Sequence, residues 1–106
     1  MLALGCSARA PAVESAASSS QTYAEALRLI CHVDERAGID PDEDPIGVDG
    51  ARWDFIRAEV KNPDAVYFRT ILEVKDTAEQ AALLQSEADR KQLGDCPLAE
   101  SLTSDS

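Results

Sequence analysis

Apolar side chains recur between residues 22 and 93 at the spacing of an α-helix, in four segments separated by capping and turn residues. The first segment runs from Thr22 to Ala37. Thr22 with Glu25 three residues later predicts a capping box, and Gly38 is suited to end the helix. The apolar positions of this segment share one face: Tyr23, Ala26, Leu27, Ile30 and Cys31. The pattern therefore predicts an amphipathic helix with one buried face.

Three further helical segments follow, from Asp49 to Lys61, from Pro63 to Val74 and from Thr77 to Leu93. Asp49 at the first segment, Asn62 before the second and Asp76 before the third are residue types that cap helix N-termini. No stretch alternates apolar and polar residues as a half-buried strand would. We therefore predict an all-α fold, a small bundle of about four short helices. The main predicted core residues are Leu27, Ile30, Trp53, Ile56, Val60, Tyr67, Ile71 and Leu84.

Composition divides the chain into three parts. Residues 1–21 are rich in alanine and serine, with Arg9 and Glu14 as their only charges, and they are predicted to form a flexible tether. Residues 22–100 are predicted to form the helical domain, and the polar residues 101–106 a disordered tail. No apolar run approaches the roughly 20 residues that a membrane-spanning helix needs.

The chain carries a formal net charge of −10, and the charge is unevenly spread. Residues 34–54 alone hold eight acidic residues against two basic ones. A negative field repels phosphate backbones, so we predict no binding to nucleic acid. A basic partner or a cation fits the charge, and solubility alone is the simpler explanation.

Two of the three cysteines lie at opposite ends of the helical pattern. Cys31 falls on the apolar face of the first predicted helix, and Cys96 follows the end of the fourth. We predict a disulfide between them that closes the bundle, which requires an oxidising compartment. The alternatives are two buried free thiols, or a redox or metal pair, although the separation gives no local metal or CxxC spacing.

The segment Leu2-Ala3-Leu4-Gly5-Cys6, followed by small and polar residues, resembles the lipobox that ends a bacterial lipoprotein signal. The resemblance implies that Cys6 carries lipid and that residues 1–21 combine a signal remnant with a tether. It also implies a location on the periplasmic side of a bacterial membrane, which the chain would contact only through that lipid. Because only five residues precede Cys6 and none is basic, it further implies a start upstream of Met1. The alternative is a cytoplasmic protein with a free thiol near its N-terminus.

The connection between the first two predicted helices is strongly acidic. Asp40, Asp42 and Asp44 have the spacing of the first ligands of a calcium loop. Pro45 stands at the sixth position, where an EF-hand needs glycine, and Ala51 at the twelfth, where it needs glutamate. A weak divalent-cation site on the three aspartates stays open, and the alternative is an acidic connection stiffened by prolines.

Few residues offer catalytic chemistry. His32 is the only histidine and is expected at the surface, and no glycine-rich phosphate loop occurs. We therefore predict that the protein is not an enzyme and uses no cofactor. The aromatic residues outnumber the positions on one buried stripe, so Phe55, Tyr67 and Phe68 are candidate partner contacts, with core packing as the alternative.

The segment Gly94-Asp-Cys-Pro-Leu-Ala-Glu100 is similar to the end of small exported helical proteins of unknown function, a resemblance that implies no activity. Together these features predict a lipid-anchored envelope protein that acts as an interaction or accessory module for a protein partner in the envelope. One alternative is an acidic periplasmic inhibitor or weak divalent-cation-binding protein. Another is a cytoplasmic helical protein with free thiols.

Overall fold

The computed structural model describes residues 20–105, which form six helices and contain no strand. The helices are α1 Tyr23–Cys31, α2 Val33–Ala37, α3 Val48–Glu59, α4 Pro63–Glu73, α5 Thr77–Arg90 and α6 Pro97–Asp105. Within this part of the chain no helix combines the length and the apolar character needed to cross a membrane. The all-α prediction is confirmed, but the helices number six rather than about four.

Helix α1 begins at the predicted capping box. The Thr22 hydroxyl accepts a hydrogen bond from the Glu25 N–H (3.0 Å), and the Glu25 carboxylate accepts one from the Thr22 N–H (2.8 Å). The predicted inward face is buried through Ala26, Leu27, Ile30 and Cys31. Helix α1 contacts α3, α4 and α6 and therefore lies at the centre of the packing.

His32 interrupts the single helix predicted over residues 22–37. Its backbone (φ −109°, ψ 31°) leaves the helical region, although its N–H still donates to the Arg28 carbonyl (2.9 Å). Helix α2 restarts at Val33, which is buried, and ends at Ala37. Gly38 follows as its cap, with a φ of 70° in the predicted left-handed conformation. Because neither proline nor glycine stands at the break, the local sequence does not indicate it.

Arg52 of α3 is a buried cation, only 3% exposed. Its Nε and Nη2 donate to the two carboxylate oxygens of Asp34 in α2, both at 2.7 Å, and Nη2 also donates to the Ser101 hydroxyl in α6 (3.0 Å). A buried guanidinium needs such partners because removing it from water costs several kcal/mol. The network joins the consecutive helices α2 and α3 to α6 at the other end of the described chain.

Gln21 ties the start of the described chain to the connection between α3 and α4. Its side-chain oxygen accepts from the N–H groups of Lys61 (2.6 Å) and Asn62 (2.9 Å), and its amide nitrogen donates to the Glu59 carbonyl (3.1 Å). The Asn62 side chain donates in return to the Gln21 carbonyl (3.0 Å). Asn62 also caps α4, with Pro63 as the first helical residue, as predicted.

Helix α5 begins at the predicted cap, Asp76, whose carboxylate accepts from the Glu79 N–H (2.8 Å). The structure differs from the prediction of a disordered tail over residues 101–106, since α6 extends to residue 105 and residue 106 lies outside the described range. Leu98 and Leu102 of α6 are four residues apart and buried, and the helix packs chiefly on α5. Tertiary packing therefore orders a segment that has little helix propensity of its own.

Most of the predicted core is buried, with one clear exception. Leu27, Ile30, Trp53, Ile56, Val60 and Leu84 are buried, and Ile71 is partly buried. The prediction for Tyr67 is wrong, because its side chain is 70% exposed. Helix α4 instead faces the core with the side that carries Ala65 and Leu72.

A disulfide joins Cys31, at the end of α1, to Cys96, immediately before α6, and closes a loop with a sequence separation of 65. Both residues are almost fully buried. The alternative in which both remain free thiols is therefore not retained. Of the three cysteines, only Cys6 lies outside the described residues.

Candidate functional site

A groove of about 370 Å³ opens between the start of α1, one face of α4 and the end of α5. Its floor and walls are apolar and aromatic, and its rim is charged. The lining residues are Tyr23, Asp64, Tyr67, Phe68, Ile71, Glu87, Arg90 and Lys91. We call this feature the aromatic groove.

Helix α4 supplies half of the lining. Asp64, Tyr67, Phe68 and Ile71 are spaced i, i+3, i+4 and i+7, so a single helical face presents all four. Phe68 and Ile71 are partly buried, whereas Tyr67 stands out into solvent. The start of α4 is held at its Asn62 cap, which fixes where this face lies.

Glu87 of α5 connects the aromatic and charged parts of the groove. Its carboxylate accepts a hydrogen bond from the Tyr23 hydroxyl and two from the Arg90 guanidinium, at 2.8 and 2.7 Å. Burial, reinforced by the Glu87 carboxylate, raises the pKa of Tyr23 above its usual value of 10. The Arg90 hydrogen bonds lower the pKa of Glu87, even though partial burial opposes them. At neutral pH a neutral phenol therefore donates to an ionised carboxylate.

Lys91 covers the same tyrosine from another direction. Its Nζ lies 5.2 Å from the centroid of the Tyr23 ring, within the range of a cation–π interaction. The Tyr23 hydroxyl is thus held by Glu87 and its ring face by a cation. The groove combines aromatic surface with both signs of charge, which is a composition suited to binding a polar, partly apolar group.

The predicted partner contacts separate into two places. Tyr67 and Phe68 both line the aromatic groove, together with Tyr23. Phe55 of α3 is partly buried against the hydrophobic core and is not among the lining residues. Phe68 also packs against the core, so core packing, the alternative, describes Phe55 and part of Phe68, whereas Tyr67 is exposed. Tyr67 and the part of Phe68 that lines the groove remain candidate contacts.

The acidic connection between α2 and α3 uses its carboxylates to shape turns. Asp40 Oδ1 accepts from the Asp42 N–H (2.9 Å), and Asp44 Oδ1 accepts from the Gly47 N–H (3.0 Å). Helix α3 starts at Val48, after Gly47, so the expected cap Asp49 lies inside its first turn instead.

The metal site predicted on Asp40, Asp42 and Asp44 receives no support from the structure. Across residues 20–105 no group of three or more histidine, cysteine or carboxylate side chains is arranged to hold a metal ion. We therefore do not propose a cation site on these three aspartates. His32 is partly exposed, and its Nδ1 lies 3.7 Å from Glu35.

Sequence reasoning missed the four charged residues of the groove, Asp64 included, and the role of Tyr23. Glu87, Arg90 and Lys91 looked like an ordinary solvated end of a helix. Tyr23 and Glu87 are 64 positions apart, so no local spacing reports their contact. The sequence pointed to the groove in one way only: apolar side chains around Tyr67 and Phe68 outnumber the positions of one buried stripe. Comparison with protein-family models, with curated proteins and with solved structures finds no match for this chain.

Proposed function

We propose that this chain is a protein-interaction module of an oxidising compartment, held at a bacterial membrane through lipid on Cys6, and that it contacts its partner through the aromatic groove. The observation that carries the proposal is the 70% exposure of Tyr67 beside the partly buried rings of Tyr23 and Phe68. An aromatic side chain left in water next to an apolar groove is typical of a partner anchor. The disulfide supports the compartment.

Binding fits the groove better than catalysis. The phenol of Tyr23 and the carboxylate of Glu87 are already committed to each other and to Arg90. His32, the only histidine of the chain, is not among the residues that line the groove. Enzymatic activity is therefore not part of the proposal.

Site-specific photo-crosslinking tests the proposal. Photoreactive p-benzoylphenylalanine replaces Tyr67 in the cells that produce the protein, and a second variant carries it in place of Val74, which is 80% exposed and lies outside the groove. We expect a discrete crosslinked protein from position 67 and none from position 74. The captured protein is then purified, and its Kd is measured with the Tyr67→Ala variant.

A partner anchor predicts a loss of about 2 kcal/mol for Tyr67→Ala, roughly thirtyfold in Kd. An unchanged Kd, or equal capture at both positions, would refute the groove as the contact surface. Membrane anchoring is tested separately with Cys6→Ser expressed from the native locus. This variant is expected to lose both acylation and membrane association.

A second candidate function, an acidic inhibitor, is favoured by one observation. Ile46 is 95% exposed and stands between Pro45 and Gly47 in the acidic connection. Such a side chain could enter an apolar pocket of a basic target. The same photoreactive residue in place of Ile46 distinguishes the two candidates, because capture at position 46 without capture at position 67 would favour inhibition through this connection.

A further inference from the structure

The aromatic groove already binds a cation that belongs to the protein itself. Lys91 Nζ lies 5.2 Å from the centre of the Tyr23 ring. The face of an aromatic ring attracts a positive charge because the ring's quadrupole places negative potential there. The chain therefore uses one ring of the groove as a cation-binding surface, while the rings of Tyr67 and Phe68 line the same groove.

The acidic side chains of the groove also favour a cation. Glu87 is committed to Tyr23 and Arg90. Asp64 is exposed on the same face of α4 as Tyr67, and it is close enough to contribute to the raised pKa of Tyr23. An aromatic surface beside an exposed carboxylate suits a guanidinium or ammonium group, which can stack on the ring and pair with the acid.

Long-range electrostatics point in the same direction. The chain has a formal net charge of −10, so an approaching basic segment is attracted and an acidic one is repelled. The positive charges at the groove, Arg90 and Lys91, are respectively paired with Glu87 and placed over Tyr23.

We propose that the aromatic groove receives an arginine or lysine side chain from a basic segment of the partner protein. The incoming cation packs against the rings of the groove, including Tyr23, and pairs with Asp64, so Lys91 competes with it for the Tyr23 ring. This inference rests on the proposed function, because it names the chemistry of the partner at the same groove. In this proposal Lys91 opposes binding of the partner's cation. In a groove that binds an anion, Lys91 would instead contact the ligand and favour its binding.

The test uses two blocked peptides, Gly-Arg-Gly-Arg-Gly and Gly-Glu-Gly-Glu-Gly, titrated into the full disulfide-bonded chain. Binding is followed by NMR through the ring signals of Tyr23 and Tyr67. We expect the arginine peptide to shift these signals and the glutamate peptide to leave them unchanged. Circular dichroism of every variant verifies that it is folded.

Variants at the groove then separate local from overall charge effects. Lys91→Met is expected to tighten binding of the arginine peptide by about two- to fivefold, which corresponds to one exposed cation–π contact. Asp64→Asn is expected to weaken it by a similar factor. Lys75→Met is the matched control, because it makes the same change in charge at an exposed position outside the groove and is expected to alter binding by less than a factor of about two.

Three results would overturn the inference: preferential binding of the glutamate peptide, weaker binding of the arginine peptide to Lys91→Met, or no response to either peptide. Ring signals that depend on protein concentration without peptide would also overturn it, because a second copy of the chain would then occupy the groove. In each case specific crosslinking at position 67 would still support the interaction function, so failure of the partner chemistry is distinguishable from failure of the proposed function.

Discussion

Replacing Cys31 and Cys96 with alanine removes the covalent link between the end of α1 and the residue before α6. The bond acts mainly by limiting the conformations of the unfolded chain. For a loop with a separation of 65 residues, the chain-entropy model gives a contribution of about 4 kcal/mol to the free energy of unfolding. A domain of this size has a total stability of roughly 4 to 13 kcal/mol. The double variant therefore loses a large part of its stability and is expected to be only marginally folded.

Urea denaturation followed by the fluorescence of Trp53 measures the effect. The samples are the oxidised protein, the Cys31→Ala/Cys96→Ala variant, and wild-type protein reduced while unfolded and refolded with reductant present. With an m-value of about 1 to 3 kcal/mol/M, we expect the midpoint to fall by about 1.3 to 4 M in both samples that lack the bond. The melting temperature is expected to fall by about 16 to 32 °C.

The reduced wild type is the control for side-chain packing, because it keeps both sulfur atoms and loses only the bond. A stability within about 1 kcal/mol of the oxidised protein would refute the loop-entropy reasoning. Thiol titration of unreduced, denatured protein provides an independent check. Of the three cysteines, only Cys6 is expected to react when it is not acylated. Reaction of all three would show that the disulfide is absent.

Three other predictions concern the contacts that position the helices and the groove. Asp34→Ala is expected to lower the free energy of unfolding by about 3 to 5 kcal/mol, because it leaves the 3%-exposed Arg52 guanidinium without its carboxylate. Arg52→Met is expected to lower it by less, because the carboxylate that it leaves behind is 29% exposed. Equal losses of the two variants in urea denaturation would contradict this asymmetry. The pKa of Tyr23 is raised by burial, so above pH 10 the unfolded chain releases a proton that the folded protein keeps, and stability falls as pH rises. Urea midpoints between pH 8 and 11 should fall less steeply for Tyr23→Phe, and parallel profiles would count against the effect. Gln21→Ala removes the side-chain hydrogen bonds to the α3–α4 connection and is expected to lower the free energy of unfolding by about 1 to 2 kcal/mol, whereas an unchanged midpoint would mean that water replaces them.

Three helix starts and one helix end could be predicted because capping depends on residues within a single turn. Thr22, Asn62 and Asp76 accept backbone hydrogen bonds at the predicted starts, and Gly38 adopts the predicted left-handed conformation. The break at His32 and the presence of α6 could not be predicted in this way. The break at His32 has no proline or glycine to indicate it, and α6 depends on its tertiary packing against α5 rather than on local capping residues.

Only the α4 side of the aromatic groove could be predicted from the sequence. Tyr67 and Phe68 belong to a helix with more apolar side chains than one buried stripe can hold, so one of them was expected at the surface. The other side depends on how α1 and α5 pack, which brings Tyr23 to Glu87 and Lys91. Periodicity identified Tyr23 as part of a buried face, but it contained no information about which residue would meet its hydroxyl group.

Gln21 also determines how a pulling force would enter the domain. A force applied to the chain before Ser20 reaches Gln21 before it reaches α1, and the hydrogen bonds with Glu59, Lys61 and Asn62 pass it to the connection between α3 and α4. The opposite end of α1 is fixed by the disulfide to the residue before α6. Helix α1 is therefore anchored at both ends, and tension applied to the chain ahead of Gln21 would have to break the contacts of Gln21 before it could unwind the helix at the centre of the domain.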